Sequence, residues 1–533
     1  MIFYSEIITN LTDFPVIYNN YCYFYYTIQN YCFTDNLIMI LKDLEPNKIW
    51  TYFDEICKIP RLSKGEDKIR AYLMEFAHRH NLEVETDSPG NVLIRKPAYP
   101  GFENRAAVIL QSHMDMVGEK NASTVHDWGK DPILPVIEDG WVRAENTTLG
   151  ADDGIGIAAQ LTILSDPDLK TGPIECLFTV DEESGMTGAL ELKPDWFRSK
   201  ILINLDSEDE GELFIGCAGG MDTVSYFNHT TEDTPADALS LEIKLTGLHG
   251  GHSGDEIHKG YGNSVKIMND LLTGLNSLYG VGLYNFTAGN LRNAIPREAF
   301  AIITFGKESY SKICEHIDEF EVNTRKETGS VEPYLKIAYN DHPAPSHMLE
   351  KHIQEKLNMA IDKCPHGVIS WSEKMEGLVE TSTNLASVLH TDNNRIRVVT
   401  SQRSSDENAK HEISNRIRSI FVEAGAEVKQ TKGYPGWNPD TNSEILNLTT
   451  ALYKKLFGTE PVVRAIHAGL ECGLFLEKYP GLDMISFGPT IKGAHTPEEK
   501  INIESNQKFW DLLLEVLTNI PEEQEKRQTK IKN

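Results

Sequence analysis

Short polar clusters follow apolar segments at several points along this chain, and their residues are of the types that bind metal ions or move protons. Gln111-Ser112-His113-Met114-Asp115 follows the run 106–110, Asp181-Glu182-Glu183 follows 174–180, and Asp206 follows 201–205. Gly493-Ala494-His495 follows the run 484–487 after a Gly/Pro loop, and Leu149-Gly150-Ala151-Asp152-Asp153-Gly154 opens a helix over 155–164. In an open α/β sheet, ligands bind beyond the carboxyl ends of the strands, where all of these groups would gather. Two histidines and several carboxylates on one edge fit a first-row metal site, with zinc the favoured ion. Two His with three carboxylates are too many for one tetrahedral ion and suit two ions bridged by one carboxylate. Such a pair polarises a carbonyl and generates hydroxide near neutral pH. Adjacent Glu182 and Glu183 allow one to bind metal while the other acts as general base. Asp115, two residues after His113, is placed to accept the free ring N–H. Taken singly, each cluster reads as a surface histidine, a solvated turn or a helix N-cap. The ordered set is what points to metal.

The elements that must position these groups alternate along the chain. Ile49, Trp50, Phe53, Ile56 and Cys57 follow helical spacing behind Pro46. Ser63 with Glu66 has the form of a capping box for a helix carrying Ile69, Leu73 and Phe76. Segments 82–86 and 91–96 read as strands joined by the turn Ser88-Pro89-Gly90. The runs 106–110, 174–180, 201–205 and 484–487 are continuously apolar, as strands buried on both faces of a parallel sheet are. The expected fold class is therefore α/β, with a largely parallel central sheet.

From 241 to about 432 the pattern changes to amphipathic strands and polar-faced helices, which predicts an inserted α+β lid domain. The expected division is an atypical extension over 1–38, a catalytic domain over 39–219, a lid over 220–432 and a second catalytic segment over 433–533. The lid also reads as internally doubled. Its first half has strand 241–245, the loop with His252, helix 262–275, strands 283–287 and 299–305, helix 310–320 and strand 334–339. Its second half has helix 350–361, strands 368–371 and 395–400, helix 407–424 and strand 427–430.

The 533 residues carry 51 Lys and Arg against 79 Asp and Glu, a net charge of −28, which argues against a phosphate-tracking nucleic-acid binder. No apolar stretch is long enough for a transmembrane helix. Eight cysteines without a CxxC pair read as reduced packing thiols, hence an expected cytoplasmic location. Residues 1–38 hold no Lys or Arg and lack the pattern of a secretory signal, and we expect them to be dispensable. An ordinary start follows at Met39, and the tail from Glu522 is polar.

HMDM at 113–116, GADDGIG at 150–156, DEESGM at 181–186, NLDSE at 204–208 and GAH at 493–495 together resemble the di-zinc aminoacylase–carboxypeptidase–dipeptidase family. GGHSGDEIHKG at 250–260, RNAIPREA at 292–299 and AIHAGLECG at 465–473 extend the resemblance to dipeptidase members, over about 39–533. The resemblance implies that His113 and Asp206 bind one Zn²⁺, that Glu183 and His495 bind the other, and that Asp152 bridges them, with Mn²⁺ or Co²⁺ able to substitute. It makes Glu182 the general base for a zinc-bound hydroxide and Asp115 the group that orients His113. It also implies a cis peptide after Asp152. Among substrate-binding residues it implies His252 at the oxyanion, Arg403 on the substrate carboxylate, Asn293 as a binding amide, and His467 and Gly469 lining the pocket. The implied substrates are dipeptides with a free C-terminal carboxylate, those ending in histidine included. Deacylation of N-acyl amino acids is the alternative enzymatic reading. A scaffold without turnover is disfavoured by the intact ligand set and Glu182. Neither nucleic acid nor membrane is an expected partner, and a homodimer is left open.

Overall fold

The computed structural model of the protein describes residues 41–391 and 394–523, so the extension 1–38 and most of the polar tail lie outside the described residues. The chain forms two compact units. One holds the described residues up to Leu213 together with Glu444–Val462 and the chain from Leu482 onward; the other holds Phe214–Ser443 and Val463–Gly481. The divisions thus fall at 213/214 and 443/444 rather than at 219/220 and 432/433. Val463–Gly481, read from the sequence as part of the second catalytic segment, groups with the second unit. The backbone explains this: the carbonyls of Ile466 and Ala468 both accept from the N–H of Ala218, at 3.1 and 2.9 Å.

In the first unit the sheet runs in the order Glu83–Thr86, Val92–Lys96, Ile174–Thr179, Val108–His113, Ile201–Asn204, Asp483–Ser486. The last four are mutually parallel, and the first two form an antiparallel margin. Val108–His113 and Ile174–Thr179 are buried at every residue, as their apolar runs require. The observed strand Val108–His113 ends later than the expected run, which carries His113 itself into the strand. Helix Ala151–Leu164 is apolar on all sides and is buried along its length except at Asp152. Helix Asn47–Cys57 packs on it through the stripe of Ile49, Trp50, Phe53 and Ile56. The capping box does not form. The helix Asp67–Arg79 has no side-chain cap, and the Ser63 hydroxyl instead donates to Asp115 Oδ2 at 2.7 Å. Glu66 accepts from the N–H groups of Lys64 and Asp181 at 2.9 and 3.0 Å.

The second unit holds a nine-stranded antiparallel sheet built from two copies of one pattern. The first copy is Leu239–Thr246, helix Ser264–Tyr279, Gly282–Ala288, Ala299–Phe305, helix Tyr310–Thr328 and Lys336–Asp341, with lateral strand order fourth, first, third, second. The second is Gly219–Asn228, helix Lys351–Lys363, Val379–Thr391, Arg395–Ser404, helix Glu407–Glu423 and Glu427–Gln430, in the same lateral order. The two copies meet edge to edge at Ala288 and Val388. The doubling expected from the sequence is present, but the copies are nested, because the first is inserted after the opening strand of the second. Gly367–Trp371, read as a core strand of the repeat, is a side branch on Val379–Thr391. The latter was missed because its buried residues include Thr381, Ser382, Thr383, Asn384 and Ser387, which show no apolar alternation.

Candidate metal centre

Every residue of the predicted metal set lies in the first unit: His113, Glu183 and Asp206 at or just beyond the carboxyl ends of its parallel strands, Asp152 at a helix start and His495 in the loop after Ile491–Lys492. His113 is the last residue of its strand and is 1% exposed. Its Nε2 lies 3.0 Å from Asp152 Oδ1 and 3.3 Å from Asp206 Oδ1. His495 Nε2 lies 3.1 Å from Asp152 Oδ2 and 2.9 Å from Glu183 Oε2. Asp152 therefore offers one oxygen to each imidazole, the arrangement a bridging carboxylate needs. Asp152 stands at the mouth of the central helix with non-helical φ −80° and ψ 113°, and its peptide bond to Asp153 is cis.

Asp115 does more than the sequence indicated. Its Oδ1 accepts from the N–H of Glu182 at 3.0 Å and its Oδ2 from the N–H of Glu183 at 3.2 Å, which anchors the one-turn helix Glu182–Gly185. His113 Nδ1 is nearer to the Asp115 carbonyl, at 3.2 Å, than to its carboxylate, at 3.5 Å. Both acceptors fix the ring so that Nε2 faces the other donors.

The electrostatics are those of a place built for added positive charge. Burial alone would raise the Asp115 carboxyl, but His113, Ser63 and the Glu182 N–H hold it down at about 2. The hydrogen bonds that His495 donates to the Asp152 and Glu183 carboxylates raise it to about 11. Burial raises Asp206 to about 7, and burial with the nearby charges of Asp152 and Asp206 raises Glu208 to about 8. Glu183 Oε1 is buried without a hydrogen-bond partner. Ligand atoms of His113, Asp152 and Glu183 all lie within 4.8 Å of one another. Crowded carboxylates, two imidazoles with a nitrogen turned inward and an orphaned buried oxygen fit a divalent metal centre.

The predicted substrate-binding residues all fall in the second unit, where they form a cluster of their own. The His252 loop pairs with the Asn293 turn: Ser253 donates to the Asn293 carbonyl at 2.8 Å and Ile295 to the Gly251 carbonyl at 2.9 Å. His252 Nδ1 lies 3.2 Å from Asp255 Oδ2. Burial would raise the Asp255 carboxyl, but His252, Arg403 and His467 lower it. Buried His467 has its Nε2 2.7 Å from Ser382 Oγ, and burial, aided by Arg403, lowers it to about 3. Arg403 is 8% exposed, its Nη1 donates to Tyr434 Oη at 3.3 Å, and its Nε has no hydrogen-bond partner. Gly469 has a steric reason, because a Cβ there would lie 2.8 Å from the Tyr434 ring. Gly220 meets the same ring from its own position, at 2.6 Å.

Sequence reasoning missed Tyr434, Arg61 and Glu499. Tyr434 follows a glycine in a segment without strand or helix periodicity. Glu499 stands four residues after His495 in a loop where one more acid reads as solvated.

The fold and the centre define a metallopeptidase. Residues 109–519 match Peptidase family M20/M25/M40, and the chain belongs to that family. The cytosol non-specific dipeptidase of Escherichia coli (strain K12) is 42% identical over 481 residues, which cover 90% of this chain and 99% of that protein. Among solved structures, the aminoacylhistidine dipeptidase of Vibrio alginolyticus superposes with a TM-score of 0.83 at 41% identity, over 91% of this chain and 99% of that one. The aminopeptidase PepT of Bacillus cereus shares the fold at 16% identity, with a TM-score of 0.53 over 90% of this chain and 99% of that one. Among the described residues, no helix is long and apolar enough to cross a membrane.

Proposed function

We propose that this protein hydrolyses dipeptides bearing a free C-terminal carboxylate, aminoacyl-histidine dipeptides among them, at a centre of two divalent metal ions with zinc favoured. The carrying observation is Asp152, whose two oxygens face two different histidines at 3.0 and 3.1 Å. His113 and Asp206 would hold one ion, His495 and Glu183 the other, with Asp152 shared. When bound, the ions polarise the scissile carbonyl and make water acidic enough to attack at neutral pH. Glu182 takes the proton from that water and delivers it to the leaving nitrogen. Asp115 holds His113 and the backbone of Glu182 in register for this transfer. Arg403, buried and with a free Nε, takes the substrate carboxylate, since a guanidinium matches a carboxylate with paired donors. His252 steadies the oxyanion, Asn293 supplies a binding amide, and His467 and Gly469 shape the pocket. The names of the relatives at 42% and 41% identity support the dipeptide substrates, and that of the first also supports a cytosolic location.

The test is one hydrolysis assay with metal-loaded protein, offering Ala-His, β-Ala-His, a tripeptide and N-acetyl-Ala. Turnover of Ala-His with little of N-acetyl-Ala is expected. Preference for N-acetyl-Ala would replace the dipeptidase reading by a deacylase one.

A further inference from the structure

The segment that carries the bridging aspartate is gripped from two sides by buried ions that touch only its backbone. Glu499 is 2% exposed. Its Oε2 accepts from the N–H groups of Leu149 and Gly150 at 2.8 and 2.9 Å, and its Oε1 from those of Ala151 and Asp152 at 2.7 and 3.3 Å. Those of Gly150, Ala151 and Asp152 are among the amides that a helix start leaves without intrahelical partners. Arg61, also 2% exposed, donates to the carbonyl of Gly150. The same guanidinium donates to the carbonyls of Met114 and Asp115, at 3.0 and 2.6 Å, immediately after His113.

The glycines of the GADDG motif fit this account. A Cβ on Gly150 or Gly154 would lie 2.7 Å from Arg61 Nη2, so both positions are open because the guanidinium fills the space. Gly150 also needs its left-handed φ of 70°. Arg61 thus ties the His113 strand end to the Asp152 turn, and Glu499 ties that turn to the loop that holds His495 four residues earlier.

From this we infer that Arg61 and Glu499 are positioning residues of the metal centre, setting through the backbone of 149–152 where Asp152 stands between His113 and His495. The inference rests on the two-metal reading above. Neither side chain needs to reach an ion. Each acts on the bridge through peptide groups, so no substitution at Asp152 itself would reveal it.

The test is titration of the metal-stripped full-length protein with Co²⁺, followed by visible absorption and calorimetry. Glu499→Gln keeps the size of the side chain but turns one acceptor into a donor facing N–H groups. At least one Co²⁺ should bind about 10–100-fold more weakly, the range seen when groups supporting metal ligands are removed. The visible spectrum should change with it. Glu499→Asp, which keeps both oxygens, should restore part of the affinity.

Glu175→Gln is the control. Glu175 is a buried acid in the same unit that accepts from the N–H groups of Arg198 and Ser199, both at 2.9 Å. It should lower the melting temperature without moving Co²⁺ affinity or spectrum. If Glu499→Gln behaves like that control, the residue is merely structural and the inference fails. If Glu499→Gln does not fold, Glu499→Asp and Arg61→Lys decide, and wild-type Co²⁺ affinity and spectrum in both overturn it. A wild-type protein that binds no Co²⁺ would instead overturn the two-metal reading, and this inference with it.

Discussion

In the first unit each inward imidazole has acids around it: His113 meets Asp152 and Asp206, and His495 meets Asp152 and Glu183. In the second, Arg403 is buried with a tyrosine hydroxyl as its side-chain hydrogen-bond partner and a vacant Nε. One cluster has an excess of acids, and in the other a buried guanidinium lies near Asp255 with its Nε left without a hydrogen-bond partner. The difference teaches how the work of a peptidase divides. On the proposed reading, the acids around two histidines would hold metal and serve chemistry, whereas the buried guanidinium, with a free Nε, would serve recognition of a carboxylate.

If that division is right, damage to the two clusters will look different in kinetics. The largest effect should come from Glu182→Gln, which removes only proton transfer. We expect kcat to fall about 10²–10⁴-fold while metal analysis stays at the wild-type value. Near-normal turnover would break the comparison at its catalytic end. Chelation should likewise abolish hydrolysis, and Zn²⁺, Mn²⁺ or Co²⁺ should restore it.

Next in size is Arg403→Ala. Losing a charge-assisted contact worth roughly 1.5–3 kcal/mol should raise KM about 10–100-fold and leave kcat nearly intact. Wild-type protein should lose a similar factor on amidated dipeptides, and the variant should lose nothing more on them. A fall in kcat with unchanged KM would mean that Arg403 belongs with the chemistry.

Tyr434→Phe sharpens the same point. It removes the hydroxyl that holds Arg403 Nη1 but keeps the ring against Gly220 and Gly469. Because Tyr434 acts on the substrate only through Arg403, its loss should cost less than that of Arg403, roughly 0.5–1.5 kcal/mol, and KM should rise about two- to tenfold. A change in metal content would contradict the assignment.

The smallest effect concerns stability. Burial, with His229 nearby, lowers His390 from 6.5 to about 4. Below pH 6.5 the unfolded chain takes up this proton while the folded one does not. The stabilisation is therefore complete above about 6.5 and fades as pH falls toward about 4. His390→Gln should flatten the fall in melting temperature across that window by about 2–4 °C, measured by calorimetry at stepped pH. Identical pH profiles would show that His390 does not contribute.

The candidate centre was legible in the sequence because His113, Glu183 and Asp206 come at or just after the ends of apolar strands and His495 follows another across a Gly/Pro loop, an order that points to one sheet edge. Groups that act on backbone were not legible. Arg61 and Glu499 leave no spacing pattern, and only the folded backbone of 149–152 connects them. Ser63 shows the converse, since its S-x-x-E signature is present while its hydroxyl serves Asp115. In the second unit the amphipathic strands were readable, but Gly219–Asn228 and the polar Val379–Thr391 were not. The second copy was accordingly assembled without its first strand.

The nesting of the two copies carries a consequence for biosynthesis. Gly219–Asn228 lies between Arg395–Ser404 and Glu427–Gln430, and both neighbours come far later in the chain. At about 5–20 residues per second, a ribosome delivers the first of them on the order of 10–30 s after the strand itself. In that interval an entire copy, from Leu239 to Asp341, emerges with all its own pairing partners. The nascent chain thus holds one finished sheet half beside a strand with both edges unsatisfied, the state most open to pairing with another chain.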